Sequence, residues 1–205
     1  MNILAIGAHP DDIEIGCAGS LLNYKNEGHD LYLMVMTQGE GGGRADTRRH
    51  EQSESAEILG CRDVIWGTYK DTELNNKMTA MIHDIEAVLK GISPDICFVN
   101  YCDDSHQDHR ALNRAAVSAS RYTKNVLFYE VPTTQNFSPS VFMNIKTTMS
   151  GKIEALLAHT SQAEKTNIEG LSIVDIAKAA AVFRGIQGRV ELAEGFVPLR
   201  LFLKA

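Results

Sequence analysis

The sequence predicts an α/β protein with a Rossmann-like, doubly wound, mostly parallel sheet and helices on both faces. Three observations predict it. Short continuous apolar runs recur along the chain, each of a length that suits a strand buried on both faces. Stretches with helical spacing alternate with them, which is the signature of a parallel sheet. The polar, glycine-bearing and proline-bearing segments fall between these elements and not inside them.

The first apolar run, Ile3-Leu4-Ala5-Ile6-Gly7-Ala8, ends abruptly in His9-Pro10-Asp11-Asp12. Pro10 cannot donate to a sheet ladder and biases His9 toward an extended backbone, so the strand stops there. A helix is expected over 15–27, closed by Gly28 where a left-handed cap is required. A second strand over 31–37 runs into 38–43, where four glycines in six residues make either regular element too costly in entropy. A helix over 47–59 closes on Gly60, and a short third strand covers 64–67 before the polar turn 70–73. Met81, Ile82, Ile85, Val88 and Leu89 give 78–89 a helical stripe.

Ser93-Pro94-Asp95 then introduces a fourth strand over 96–99. A second polar burst follows, Asp103-Asp104-Ser105-His106-Gln107-Asp108-His109-Arg110, and leads into a helix over 111–121. A fifth strand is expected over 126–130. The irregular segment 132–139 is long for a connection, which makes it a candidate lid or contact surface. Helices over 146–158 and 173–187 and a last strand over 197–203 complete the reading.

Composition narrows the class. A chain of 205 residues supports one substantial core and is short for two, so 1–205 reads as a single domain. A formal charge of -6 with no gathered basic run gives no footprint for nucleic acid. No apolar stretch is long enough for a membrane span, and Met1-Asn2 leads straight into the first strand without room for a secretory signal. Cys17, Cys61, Cys97 and Cys102 show no framework spacing and read as reduced thiols, so a cytoplasmic protein is expected. The subunit count is not fixed by these features, and a homo-oligomer is compatible with them.

In the common doubly wound order, strands one and four are neighbours across the topological switch point, where ligands bind. Both polar bursts leave those two strands at the same end and are expected to meet over one crevice. Two histidines and a carboxylate form a frequent three-ligand set for catalytic zinc, with the fourth position open to water. His9 and Asp12, from one turn, can converge on one ion, and at least one of His106 and His109 is placed to complete the set. Asp11, pointing elsewhere in the turn, suits a general base. A second histidine suits stabilising an oxyanion or protonating a leaving amine. Asp108 suits orienting a ligand histidine through its free ring nitrogen. The competing interpretation makes His-Pro-Asp-Asp a turn with a capping carboxylate, in a module that binds a sugar or nucleotide without chemistry. The pairing of the two clusters favours the metal site.

The segments Ala8-His9-Pro10-Asp11-Asp12-Ile13-Glu14-Ile15-Gly16 and His106-Gln107-Asp108-His109 resemble the signature pair of the PIG-L/LmbE-like de-N-acetylases. These are zinc enzymes that remove acetyl from N-acetylglucosamine-type groups. The resemblance runs along almost the whole chain. It takes in Arg48-Arg49-His50-Glu51, Leu59-Gly60, Asp71, Ala158-His159-Thr160-Ser161-Gln162, Arg184-Gly185 and Ala193-Glu194-Gly195-Phe196. It implies His9, Asp12 and His109 as ligands to zinc, with ferrous iron as the alternative cellular ion. It implies Asp11 as general base, His106 as oxyanion stabiliser or general acid, and Arg48 and Asp71 as contacts to the sugar. The substrate implied is a small N-acetylated amino sugar or its conjugate, and a zinc amidase acting on a non-sugar amine is the neighbouring alternative. Two departures stand out: Ile13 separates the Asp pair from Glu14, and Leu192 stands where an aromatic often precedes Ala-Glu-x-Phe.

The other candidates are read more plainly. His29, His50 and His83 read as surface residues, and His159 as a helix cap or a cleft-lining group. The glycine loop 39–43 lacks the G-x-x-x-x-G-K-[ST] spacing of a phosphate cradle and reads as cleft rim. Trp66 reads as core or cleft wall.

Overall fold

The computed structural model describes residues 1–202 except 167. Among these residues seven strands form one sheet: β1 (Asn2–Gly7), β2 (Asp30–Thr37), β3 (Asp63–Tyr69), β4 (Ile96–Asn100), β5 (Asn125–Tyr129), β6 (Val141–Asn144) and β7 (Ala193–Arg200). Their order across the sheet is β3-β2-β1-β4-β5-β7-β6. The first five are parallel, and β7 runs antiparallel to both β5 and β6. The expected mostly parallel sheet is therefore present, and β1 and β4 are neighbours in register from Ile3↔Ile96 to Ile6↔Val99.

Among the described residues six helices connect the strands: α1 (Asp12–Asn26), α2 (Ala45–Leu59), α3 (Met78–Ile92), α4 (Gln107–Ala119), α5 (Met149–Ala158) and α6 (Ile173–Gly188). Alternate side chains of each buried strand enter opposite faces of the sheet. Ile3, Ala5, Leu33 and Val35 pack with Ile13, Cys17 and Leu21 of α1, Leu59 of α2 and Ala155 of α5. Leu4, Ile6, Met34 and Met36 pack with Met81 and Ile85 of α3 and Leu112 and Ala115 of α4. Burial on both faces is why these strands are continuous apolar runs and not alternating ones.

The structure departs from the sequence expectations at both polar bursts. α1 begins at Asp12 and not at residue 15, and α4 begins at Gln107 and not at 111. In each case buried polar residues share the first turn, Asp12 and Glu14 in α1 and Asp108 and His109 in α4, and obscure its apolar spacing. β3 runs on to Tyr69, beyond the expected 64–67. A short 3-10 turn over Leu74–Lys77 precedes α3. β6 lies in a segment that carried no strand signal, and α5 starts at Met149 and not at 146. The last strand begins at Ala193, earlier than the expected 197, and the expected end at Leu203 lies outside the described residues. Pro198 sits in β7 opposite Leu127 at a register shift and beyond the stretch that β6 covers, where a missing N–H is tolerated.

The four cysteines are free, as the sequence suggested. Among the described residues no helix is long and apolar enough to cross a membrane.

Candidate functional site

The two polar bursts meet at the carboxyl ends of β1 and β4. The end of β1 is pinned there by Asn100 and Tyr129. Asn100 Oδ1 accepts from the Ala8 N–H at 3.3 Å, and the Tyr129 hydroxyl donates to the Ile6 carbonyl at 2.8 Å. The ring of Tyr129 lies so close to α1 that a Cβ on Gly16 would fall 2.1 Å from it. Gly16 is required here by close approach, not by backbone freedom.

Three donor groups converge at this end. His9 Nδ1 is 3.3 Å from His109 Nε2 and 3.6 Å from Asp12 Oδ2, and His109 Nε2 is 3.2 Å from Asp12 Oδ1. All three side chains are buried. Asp12 lies in the first turn of α1 and is fixed by the backbone N–H groups of Ala8 and His9, both 3.0 Å from Oδ2. His109 lies in the first turn of α4. Zinc bonds of 2.0–2.1 Å in a tetrahedron set neighbouring donors about 3.3 Å apart. The donor types suit a single tetrahedral ion and each spacing, taken to one or other Asp12 oxygen, is of that order; His106 also stands close enough to His9 and His109 to share an ion with them.

Each histidine is held from its other ring nitrogen by a carboxylate, as metal-binding histidines commonly are. His109 Nδ1 is 3.1 Å from Asp104 Oδ2 and 3.4 Å from the Thr133 hydroxyl. His9 Nε2 is 3.0 Å from Asp71 Oδ1 and 3.4 Å from Asp108 Oδ2. Asp108 also accepts from the Thr72 N–H at 2.6 Å and the Leu74 N–H at 3.3 Å, so it carries the loop that presents Asp71. Sequence reasoning named Asp108 for this kind of contact but missed Asp104 and Thr133. Their signal was faint: one acid in a run of acids, and one threonine in an unstructured loop.

Asp11 lines the cleft and has an unusual backbone. Its φ is 91°, in the left-handed region that residues with a Cβ rarely occupy. The guanidinium of Arg48 braces the turn, donating to the Pro10 carbonyl at 2.6 Å, to Asp11 Oδ2 at 3.0 Å and to the Gly39 carbonyl at 2.8 Å. Burial pushes the Asp11 carboxyl up to about 6, against the pull of the Arg48 and His159 charges. His106 caps α4, its Nδ1 accepting from the Asp108 N–H at 3.2 Å. A neutral ring in that bond carries its proton on Nε2. Burial and the neighbouring His9 and His109 hold its pKa below the usual histidine range.

The remaining electrostatics follow from an excess of carboxylates around two imidazoles. Burial opposes a proton on His9, yet Asp108, Asp12 and Asp71 hold it well above its ordinary value. The same contest raises His109 to about 9, with Asp12 and Asp104 outweighing burial. For Asp12 and Asp71, burial is outweighed by the histidines, so Asp12 lies well below its ordinary value and Asp71 falls to about 2.

These groups open onto a cleft of about 420 Å³, within the usual size range for a small-ligand site. Arg48 and Asp71 line it together with Gly41, Gly42, Thr133 and Lys165. Both are also engaged within the protein, Arg48 as described and Asp71 accepting from the Gly41 N–H at 3.0 Å. The glycine loop forms the cleft rim, as expected. Of the two expectations for His159 the cap holds: it stands at the C-cap of α5, its backbone N–H donating to the Leu156 carbonyl at 3.1 Å, and it does not line the cleft. It is buried 3.6 Å from Glu14 Oε2, and Glu14 in turn accepts from Gln52 and Ser55 at 2.6 and 2.7 Å. Trp66 packs against the α1–α2 side of the core beneath Arg49 and does not border the cleft.

Comparison with known proteins agrees with the geometry. Residues 4–120 match the PIG-L family, described as GlcNAc-PI de-N-acetylase. The chain is 38% identical over 168 residues to the uncharacterized deacetylase YaiS of Escherichia coli, covering 78% of this chain and 91% of that protein. The conserved protein TT1542 of Thermus thermophilus superposes with a TM-score of 0.87 at 28% identity, covering 99% of this chain and 96% of that one. The N,N'-diacetylchitobiose deacetylase of Pyrococcus horikoshii superposes with a TM-score of 0.84 at 25% identity, covering 97% and 83%. With its two signature segments folded onto one cleft at the switch point of this sheet, the chain belongs to the PIG-L family.

Proposed function

We propose that this protein is a metal-dependent hydrolase that removes the N-acetyl group from an N-acetylglucosamine-type amino sugar or its conjugate. The observation that carries this reading is the convergence of His9, Asp12 and His109 with the Asp11 carboxylate and the His106 ring on one cleft. The family description and the diacetylchitobiose deacetylase among its structural neighbours support the choice of an N-acetylated sugar.

In this reading His9, Asp12 and His109 hold a divalent ion, zinc or ferrous iron. Such an ion, when bound, supplies a Lewis acid for the amide carbonyl and lowers the pKa of water toward about 7. Asp11 accepts the proton of the attacking water through Oδ1, because Oδ2 is held by Arg48. His106 donates from Nε2 to the oxygen on which negative charge develops. Its cap bond to Asp108 fixes the ring before substrate arrives, so little is lost in orienting it. Asp11 then returns its proton to the amine nitrogen as the C–N bond breaks, leaving acetate and the free amine. Asp104, Asp71 and Asp108 keep the two ligand histidines oriented. Arg48 and Asp71 retain the sugar-contact role as well, since both border the cleft.

The test is acetate release from free N-acetylglucosamine, N,N'-diacetylchitobiose and glycosides of N-acetylglucosamine, assayed with added zinc. Turnover of at least one of these above a non-sugar acetamide control is expected. Equal turnover of the control would move the reading to a general amidase, and no turnover of any substrate would reject it.

A further inference from the structure

Beside the cleft lies a second, partly open cavity of about 190 Å³, lined by α1, α5, α6, the start of β7 and the segment after β5. Ile15, Val131 and Pro132 line both spaces, so the two are neighbours across these side chains. At roughly 30 Å³ per water, the second has room for about six. It falls short of the roughly 300 Å³ at which pockets for whole ligands begin, so it suits a substituent and not a complete ligand.

The chemistry of its wall is unusual for a site with four charges. Lys152 Nζ donates to Glu194 Oε1 at 2.6 Å and to the Ile15 carbonyl at 2.7 Å. Glu194 further accepts from the Gly19 and Ser20 N–H groups and the Ser20 hydroxyl. Arg184 donates to both oxygens of Glu130 at 2.6 Å. Every charge already has its counter-charge, so a polar occupant would have to compete with bonds that are formed. An apolar occupant gains by covering Ile15, Val131, Ile176 and the alanines of α6. Ala177, Ala180 and Ala181 are what keep the space open on that side, because any larger side chain facing it would fill it.

We propose that this cavity is a subsite for an apolar substituent carried by the substrate and reached from the cleft across Ile15 and Pro132. The proposal rests on the deacetylase reading and deepens it, naming the substrate class as an amino sugar amide that bears a short alkyl group. That group is either the acyl chain itself, extended beyond acetyl, or an alkyl aglycone.

Two substrate series separate the sources: N-acetyl, N-butyryl and N-hexanoyl glucosamine, and the methyl, butyl and hexyl glycosides of N-acetylglucosamine. In one series kcat/KM is expected to rise up to about fourfold for each methylene that enters the cavity, the equivalent of ~0.8 kcal/mol per buried CH2. Ala180→Phe should abolish that rise while leaving the N-acetyl and methyl members within twofold of wild type. Ala180→Leu, a milder filling, should reduce the rise and covers the case in which the phenylalanine variant does not fold. Calorimetric binding of hexyl against methyl glycoside to wild type and to both variants gives the same comparison without turnover. A flat or falling trend in both series, or a rise that survives both substitutions, overturns the subsite. Loss of turnover for every substrate, with hexyl glycoside still binding more tightly to wild type than to Ala180→Phe, overturns the deacetylase reading and leaves the cavity assignment standing.

Discussion

Asp11 occupies a backbone conformation that costs of order 1–3 kcal/mol for a residue with a Cβ, and Arg48 holds it there through two contacts on the same turn. Strain of this kind persists where the surroundings over-determine the geometry. Here it turns one acid of the Asp-Asp pair toward Arg48 while its neighbour faces the histidines, so adjacent and chemically identical side chains have different surroundings. The prediction at this scale is specific to that division. Asp11→Asn should retain its metal and lose about 10²–10⁴ in kcat, the range expected for removal of a general base. Steady-state kinetics on metal-replete protein measures it, and a kcat within threefold of wild type would remove Asp11 from the chemistry. The division itself was legible in the sequence, because a tight His-Pro-Asp-Asp turn cannot point both acids the same way. Asp104 was not, since nothing in Asp103-Asp104 says which acid faces inward until the loop after β5 is seen to lie across it.

At the scale of the elements, helix starts carry the site. Asp12 and His109 each stand in the first turn of a helix, where free backbone N–H groups and the helix dipole gather polar side chains. The buried polar residues in those first turns hid both helix starts from a reading based on apolar periodicity, and the same reading passed over β6, a four-residue edge strand. The packing of α1 on β5 gives a second prediction. Gly16→Ala would place a methyl against the Tyr129 ring and should destabilise by about 1–3 kcal/mol in urea unfolding. Tyr129→Phe should not substitute for it, since the ring and not the hydroxyl makes the clash.

Glu14 and His159 join α1 to the end of α5 and give a third prediction. Burial opposes charge on both, yet their mutual attraction holds Glu14 below its usual value and His159 above. The Glu14 contribution is present above its ordinary pKa of 4.5 and is lost as pH falls through the folded value. The His159 contribution is present below its ordinary 6.5 and is lost as pH rises through the folded value. The pair thus stabilises most between these two ordinary values. The difference in unfolding free energy between wild type and His159→Gln should peak there and shrink on the alkaline side, and a difference that grows above neutral pH would contradict the assignment.

For the whole molecule, the strand order decides where everything sits. The reversal between β1 and β4 opens the crevice, and the doubly wound pattern made that placement legible from sequence alone. The antiparallel β7 was not, because its start is the Ala193-Glu194-Gly195 segment, whose acid is spent on long-range ties. Glu194 and Lys152 bind β7, α1 and α5 together through a pair that is almost fully buried. Removing one partner strands a buried charge, so Lys152→Ala should cost about 3–5 kcal/mol in chemical unfolding. Lys152→Met paired with Glu194→Gln should recover part of that loss, and full stability of the single variant would show that the pair does not hold these elements.

The central claim is that two segments distant in sequence share one divalent ion, and elemental analysis of protein purified without chelator tests it directly. Wild type is expected to carry one zinc or iron per chain, and His9→Ala and His109→Ala, each still folded by circular dichroism, to carry essentially none. A metal-free wild type, or full metal content in both folded variants, would contradict the account.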